Sequence, residues 1–104
     1  MALAVNDSNF NEVISGGKLV MVDFWATWCG PCRMLSPVVD EISQEMGDKI
    51  VVAKCNVDEC DSTPVDYGIR NIPALLFFKD GKVVDRLVGA VPKATIIEKI
   101  NSLL

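Results

Sequence analysis

A chain of 104 residues, half of them hydrophobic and 23% charged, has room for one core and the make-up of an ordinary globule. A net charge of −4 with no histidine argues against a nucleic-acid surface, which needs clustered lysine and arginine. Four cysteines are too few for a disulfide-dense secreted scaffold, and no apolar run is long enough to span a membrane.

Hydrophobic periodicity alternates between strand and helix along the chain. The opening MALAVNDSNF lacks the basic start and apolar run of a signal peptide, so the expected location is cytoplasmic. A short first strand is expected at Leu3. Asp7 or Ser8 is expected to cap a helix that carries Phe10, Val13 and Ile14 on one face and ends at Gly16-Gly17. Leu19 to Trp25, LVMVDFW, reads as a strand covered on both faces. Met34, Leu35, Val38, Val39, Ile42 and Met46 then form a helical stripe stopped by Gly47, with Pro37 expected to interrupt and kink that helix.

A third strand starts at Ile50, in IVVAKCNV. Thr63-Pro64 opens a short helix. ALLFF after Pro73 and KVVDRLVG after Asp80-Gly81 read as a hairpin. Pro92 opens a last helix with Ile96, Ile97, Ile100, Leu103 and Leu104 on its buried face. Strand–helix–strand units require parallel pairing and the hairpin requires an antiparallel pair, so the class is α/β, a mixed central sheet with helices on both faces. The whole is expected to be a single domain, residues 1–104.

In such sheets chemistry sits where a strand ends and a helix begins. Cys29-Gly30-Pro31-Cys32 occupies one such junction. The unpaired N–H groups and positive dipole end of a first turn favour a thiolate at Cys29. The spacing brings Cys32 within bonding reach, Pro31 holds a helical φ, and Gly30 leaves room for an approaching chain. Such a pair attacks a disulfide and then resolves the mixed disulfide from within, with Cys29 as exposed nucleophile and Cys32 as buried resolver. A purely structural disulfide would gain little from so short a loop. A zinc site joining these two thiols to Cys55 and Cys60 is disfavoured because Cys55 lies within an apolar strand, so no metal is expected.

WCGPC, preceded by VDFWA and followed by NIPALLFF, resembles the thioredoxin family, over essentially the whole chain. The resemblance implies a mixed five-stranded sheet, with strands in the order first, third, second, fourth, fifth, and four helices, two per face. It implies a general protein-disulfide reductase that cycles through a Cys29–Cys32 disulfide, carries no bound cofactor and works as a monomer. Its partners would be disulfide-containing clients and an NADPH-dependent flavoprotein, thioredoxin reductase, that recharges it. Relatives acting as oxidases or isomerases usually carry a histidine between the cysteines, which this chain lacks; a non-catalytic clamp would not need the cysteines intact.

Asp23, the one charge in the second strand, is on this resemblance the proton acceptor for Cys32, and Lys54 in the neighbouring strand tunes it. Trp25 reads as core packing. Trp28 covers the thiol and touches substrate. The Ile72–Pro73 bond would be cis, leaving the Ile72 backbone free to pair with an extended client segment. Gly30, Pro31, Ile72, Pro73, Val88 and Gly89 would make a small apolar docking surface. The chain departs from the family at Ala74, where threonine is usual, and at Cys55, where an aliphatic residue is usual. Cys55 and Cys60 are expected to be free thiols, Cys55 buried and facing away from Lys54, Cys60 more exposed among Asp58, Glu59 and Asp61, and a disulfide between them is not expected.

Overall fold

The computed structural model describes residues 1–104. The elements run β1 (Leu3–Val5), α1 (Phe10–Ile14), β2 (Leu19–Trp25), α2 (Gly30–Met46), β3 (Ile50–Asn56), α3 (Thr63–Asp66), β4 (Ala74–Lys79), β5 (Lys82–Val88) and α4 (Lys93–Leu103). The sheet order is β1-β3-β2-β4-β5, as the family resemblance implied. β1 and β2 both pair parallel with β3; β4 pairs antiparallel with β2 and β5.

The central position of β2 explains its composition. Six of its seven residues are buried, so both faces must be apolar and its backbone ladder is completed on both sides. On one face Val20, Val22 and Phe24 pack with Phe10 and Ile14 of α1 and with Tyr67, which follows α3. On the other, Leu19 and Met21 pack with Leu35, Val39 and Ile42 of α2 and with Ile96 and Ile100 of α4. Each face thus carries two helices and its own apolar layer. The hairpin between β4 and β5 turns at Asp80 and Gly81, with φ of 52° and 81°, the left-handed geometry that an Asp-Gly turn adopts.

Some sequence expectations need correction. Neither Asp7 nor Ser8 caps α1: its N-cap is Asn9, whose side chain accepts from Asn6 N–H rather than from the helix, and the Asp7 carboxylate reaches instead to Asp61, Ser62 and Thr63. Pro37, expected to interrupt α2, lies exposed inside one continuous helix that runs from Gly30 to Met46 and stops at Gly47. Met34 is exposed, because the buried seam follows Cys32, Leu35, Val39, Ile42 and Met46 and leaves position 34 on the flank. Leu104 is exposed beyond the end of α4, and Leu103 is half-buried.

Candidate active site

Cys29 is the N-cap of α2, with extended backbone (φ −92°, ψ 109°) and Pro31 in the first turn. Its sulfur accepts a hydrogen bond from the Cys32 N–H at 3.2 Å, one of the N–H groups a helix start leaves unpaired. Cys29 and Cys32 are joined as a disulfide, with Cα atoms 5.2 Å apart. The sequence reading expected an exposed Cys29. In the structure it is only 4% exposed against 1% for Cys32, because Ala26, Trp25, Val57 and Ile72 pack around the pair. The order of exposure is as expected; the degree is not.

The start of β4 and the end of β5 complete the rim. The Ile72–Pro73 bond is cis. The carbonyl oxygen of Ile72 lies 3.8 Å from the Cys29 sulfur, and the N–H and C=O of Ile72 have no backbone partner. Gly89 N–H donates to the Pro73 carbonyl at 2.8 Å, with Gly89 at φ 94°. This joins Ile72, Pro73 and Gly89 beside the disulfide, with exposed Val88 next in line. Gly30 and exposed Pro31 flank the pair from the helix side. Ala74 is buried in the layer under α1, outside the cluster that holds Cys29 and Cys32. Trp28 is 66% exposed, and its indole N–H donates to Asp58 at 2.7 Å. Sequence reasoning had no signal for Asp58: an acid in a polar loop names no partner.

Asp23 is completely buried, and neither carboxylate oxygen has a hydrogen-bond partner. Burial pushes its pKa up to about 7; Lys54 opposes that rise and Asp40 adds to it. Asp23 and Lys54 are register partners on β2 and β3, yet they form no ion pair. The Lys54 ammonium instead donates to Ser36 Oγ at 2.6 Å and sits 4.8 Å over the Trp25 ring. Ser36 is one helical turn beyond Cys32, so α2 presents the buried cysteine and the Ser36 partner of Lys54 on successive turns. Trp25, read from sequence as core packing, is half-buried and shares its exposed side with Lys54. Ser36 and Asp40 went unnoticed in the sequence because nothing local marks a helix residue as facing a buried charge.

Cys55 and Cys60 are free thiols, and Cys55 is buried on the face away from Lys54, as expected. The expectation for Cys60 is overturned. It is 6% exposed and its sulfur lies 3.0 Å from that of Cys55, because the loop after β3 turns this side chain inward while Asp58, Glu59 and Asp61 stay in solvent.

The family model described as thioredoxin matches residues 1–102. The chain belongs to the thioredoxin family. It is 52% identical to Thioredoxin 1 of Synechococcus elongatus, with all of this chain and 98% of that protein aligned. It is 51% identical to a thioredoxin of Rickettsia prowazekii, covering 93% of each. It is 50% identical to a chloroplastic M-type thioredoxin of Pisum sativum, where 96% of this chain spans 59% of the pea protein. Thioredoxins are disulfide oxidoreductases that act by dithiol exchange with disulfide-bearing clients and a reductase, and Cys29–Cys32 is the cysteine pair of this chain in the CGPC motif. The relatives come from bacteria and from chloroplasts, and no helix of this chain is long and apolar enough to cross a membrane.

Proposed function

We propose that this thioredoxin is a general protein-disulfide reductase of the cytoplasm, a monomer of one domain over residues 1–104. The observation that carries the reading is the Cys32 N–H pointing at Cys29 Sγ from the first turn of α2. That contact and the helix dipole favour negative charge at Cys29, so Cys29 is the attacking thiolate.

Cys29 attacks one sulfur of a client disulfide. A Cys29–client bond forms, the client S–S bond breaks, and the other client sulfur leaves as thiolate. Cys32 gives its proton to Asp23 and attacks the Cys29 sulfur, which frees the second client thiolate and closes Cys29–Cys32. An acid half-ionised near neutrality suits this proton transfer, and a pKa that burial pushes up to about 7 supports Asp23 in that role. Lys54, with its ammonium held by Ser36 and Trp25, moderates the burial of that charge. The free N–H and C=O of Ile72 suit pairing with an extended client segment, and Trp28, Gly30, Pro31, Pro73, Val88 and Gly89 provide the surface around it. The two electrons return through an NADPH-dependent flavoprotein thioredoxin reductase.

Insulin reduction, driven by that reductase and followed with two variants, tests the reading. Cys29→Ser abolishes turnover and forms no adduct. Cys32→Ser accumulates a stable mixed disulfide through Cys29. Normal turnover by Cys32→Ser, or trapping by Cys29→Ser instead, would overturn the assigned roles.

A further inference from the structure

On the face of the sheet away from Asp23 lies a second pair of sulfurs that the exchange reaction does not use. Cys55, near the end of β3, has no exposed surface; Cys60, in the loop between β3 and α3, has 6%. Their Sγ atoms are 3.0 Å apart within an apolar layer that includes Val5, Phe10 and Phe24. A disulfide needs a separation of about 2.05 Å, so the sulfurs must close by roughly 1 Å. The loop can supply that movement. Glu59 N–H is tied to Asn56 and Asp61 N–H to Asp7, but the N–H and C=O of Cys60 between them make no hydrogen bond.

We propose that Cys55 and Cys60 are a second two-electron redox centre, a dithiol that a small uncharged hydroperoxide closes to a buried disulfide independently of Cys29–Cys32. The chemistry of the site selects the oxidant. Asp58, Glu59 and Asp61 stand exposed around Cys60 and repel anionic disulfides, and the small opening excludes protein disulfides. Hydrogen peroxide meets neither obstacle. Cys60, the only one of the two with surface, loses its proton and attacks one peroxide oxygen; the O–O bond breaks and hydroxide leaves, taking the proton to become water. Cys60 is then a sulfenic acid. Cys55 sulfur attacks the Cys60 sulfur, the S–O bond breaks, and the departing hydroxide takes the Cys55 proton as a second water. Two thiols and one peroxide give one disulfide and two waters, with two electrons passing from sulfur to oxygen.

The closed disulfide fixes the loop that carries Asp58 against Trp28. Val57, on the same loop, packs against both the Cys55 layer and the Cys29–Cys32 pair. The second centre thus adjoins the edge of the active site without sharing its sulfurs.

Both cysteines fall in one tryptic peptide, Cys55 to Arg70, which makes the test direct. The fully reduced wild-type chain is treated with hydrogen peroxide, unfolded, alkylated with iodoacetamide, digested and weighed. The expected peptide is unalkylated, two hydrogens lighter than the dithiol, and restored to two alkylated cysteines by dithiothreitol. The same closure is expected in Cys29→Ser/Cys32→Ser, and Cys60→Ala is expected to leave Cys55 fully alkylatable. A peptide that keeps two alkyl groups, ends with Cys60 as sulfinic acid, or is linked only between chains overturns the proposal. So does closure in the wild type that is lost in Cys29→Ser/Cys32→Ser.

Discussion

The indole N–H of Trp28 donates to the Asp58 carboxylate at 2.7 Å, across thirty residues of sequence. The contact ties the residue before the nucleophile to the loop after β3. Without it the large exposed ring keeps its position only by packing. Asp58→Ala is expected to lower kcat/KM for insulin reduction by up to about fivefold, the scale of one exposed hydrogen bond, and to change tryptophan fluorescence. Unchanged kinetics would show that Trp28 needs no anchor.

Asp23 makes stability depend on pH in a defined direction. Its pKa is about 7 folded against 3.8 for the ordinary group, so the folded chain holds a proton that the unfolded chain releases. Its own contribution to stability is greatest below 3.8, falls as pH rises toward about 7, and is level above. The full difference is on the order of 4 kcal/mol. Asp23→Asn removes this dependence. Urea unfolding at pH 8 is expected to show the variant more stable than the wild type, while the resolving step slows by roughly 10²-fold. A less stable variant at pH 8 would contradict the account.

Lys54 acts on Asp23 through space rather than by an ion pair, because its ammonium is held by Ser36 and Trp25. Lys54→Met is expected to raise the Asp23 pKa further and move the pH profile of mixed-disulfide resolution upward, whereas Lys54→Arg retains most of the wild-type profile. A profile that stays in place for Lys54→Met would remove the lysine from the proton-transfer chemistry.

Asp7 grips the segment that leads into α3. Its carboxylate accepts from the N–H groups of Asp61, Ser62 and Thr63 and from the Thr63 hydroxyl at 2.7 to 3.1 Å. The Thr63 side-chain bond leads in holding its pKa well below the usual carboxylate range. A depressed folded value stabilises the chain above 3.8 and loses that contribution as pH falls further. Asp7→Asn is expected to lower the melting temperature at pH 7, with the gap from wild type narrowing in acid. A gap that stays constant with pH would place the effect in something other than the carboxylate charge.

Regular elements were the legible part of the sequence, because their buried faces repeat. LVMVDFW declared a strand covered on both sides, and the structure surrounds it with strands and four helices. The cysteine pair was legible from its place before a helical stripe. Irregular segments carry no period, and several misses fall there; those within α2, Met34 on the flank and Ser36 and Asp40 beside a buried charge, turn on which side of one helix each residue takes. The acidic neighbours of Cys60 suggested an exposed thiol, but in a loop each side chain takes its own direction, and this one turns into the core. Asp7 looked like a cap for the next helix; its actual partners, fifty-odd residues away, leave no local trace. Trp28–Asp58 is hidden for the same reason.

The place of β2 in the sheet bears on how the chain is made. Both its ladder partners, β3 and β4, come later in the sequence, and β4 reaches it only after α3. During synthesis from the N-terminus, Val20 to Phe24 therefore wait with one edge unpaired until Ala74 to Phe78 have left the ribosome. A nascent chain stalled before Pro73 presents an apolar open edge, the kind of surface that holding chaperones cover and that neighbouring chains pair with when they do not. The β4–β5 hairpin, closed by its local Asp-Gly turn, arrives as a ready-made lid for that edge.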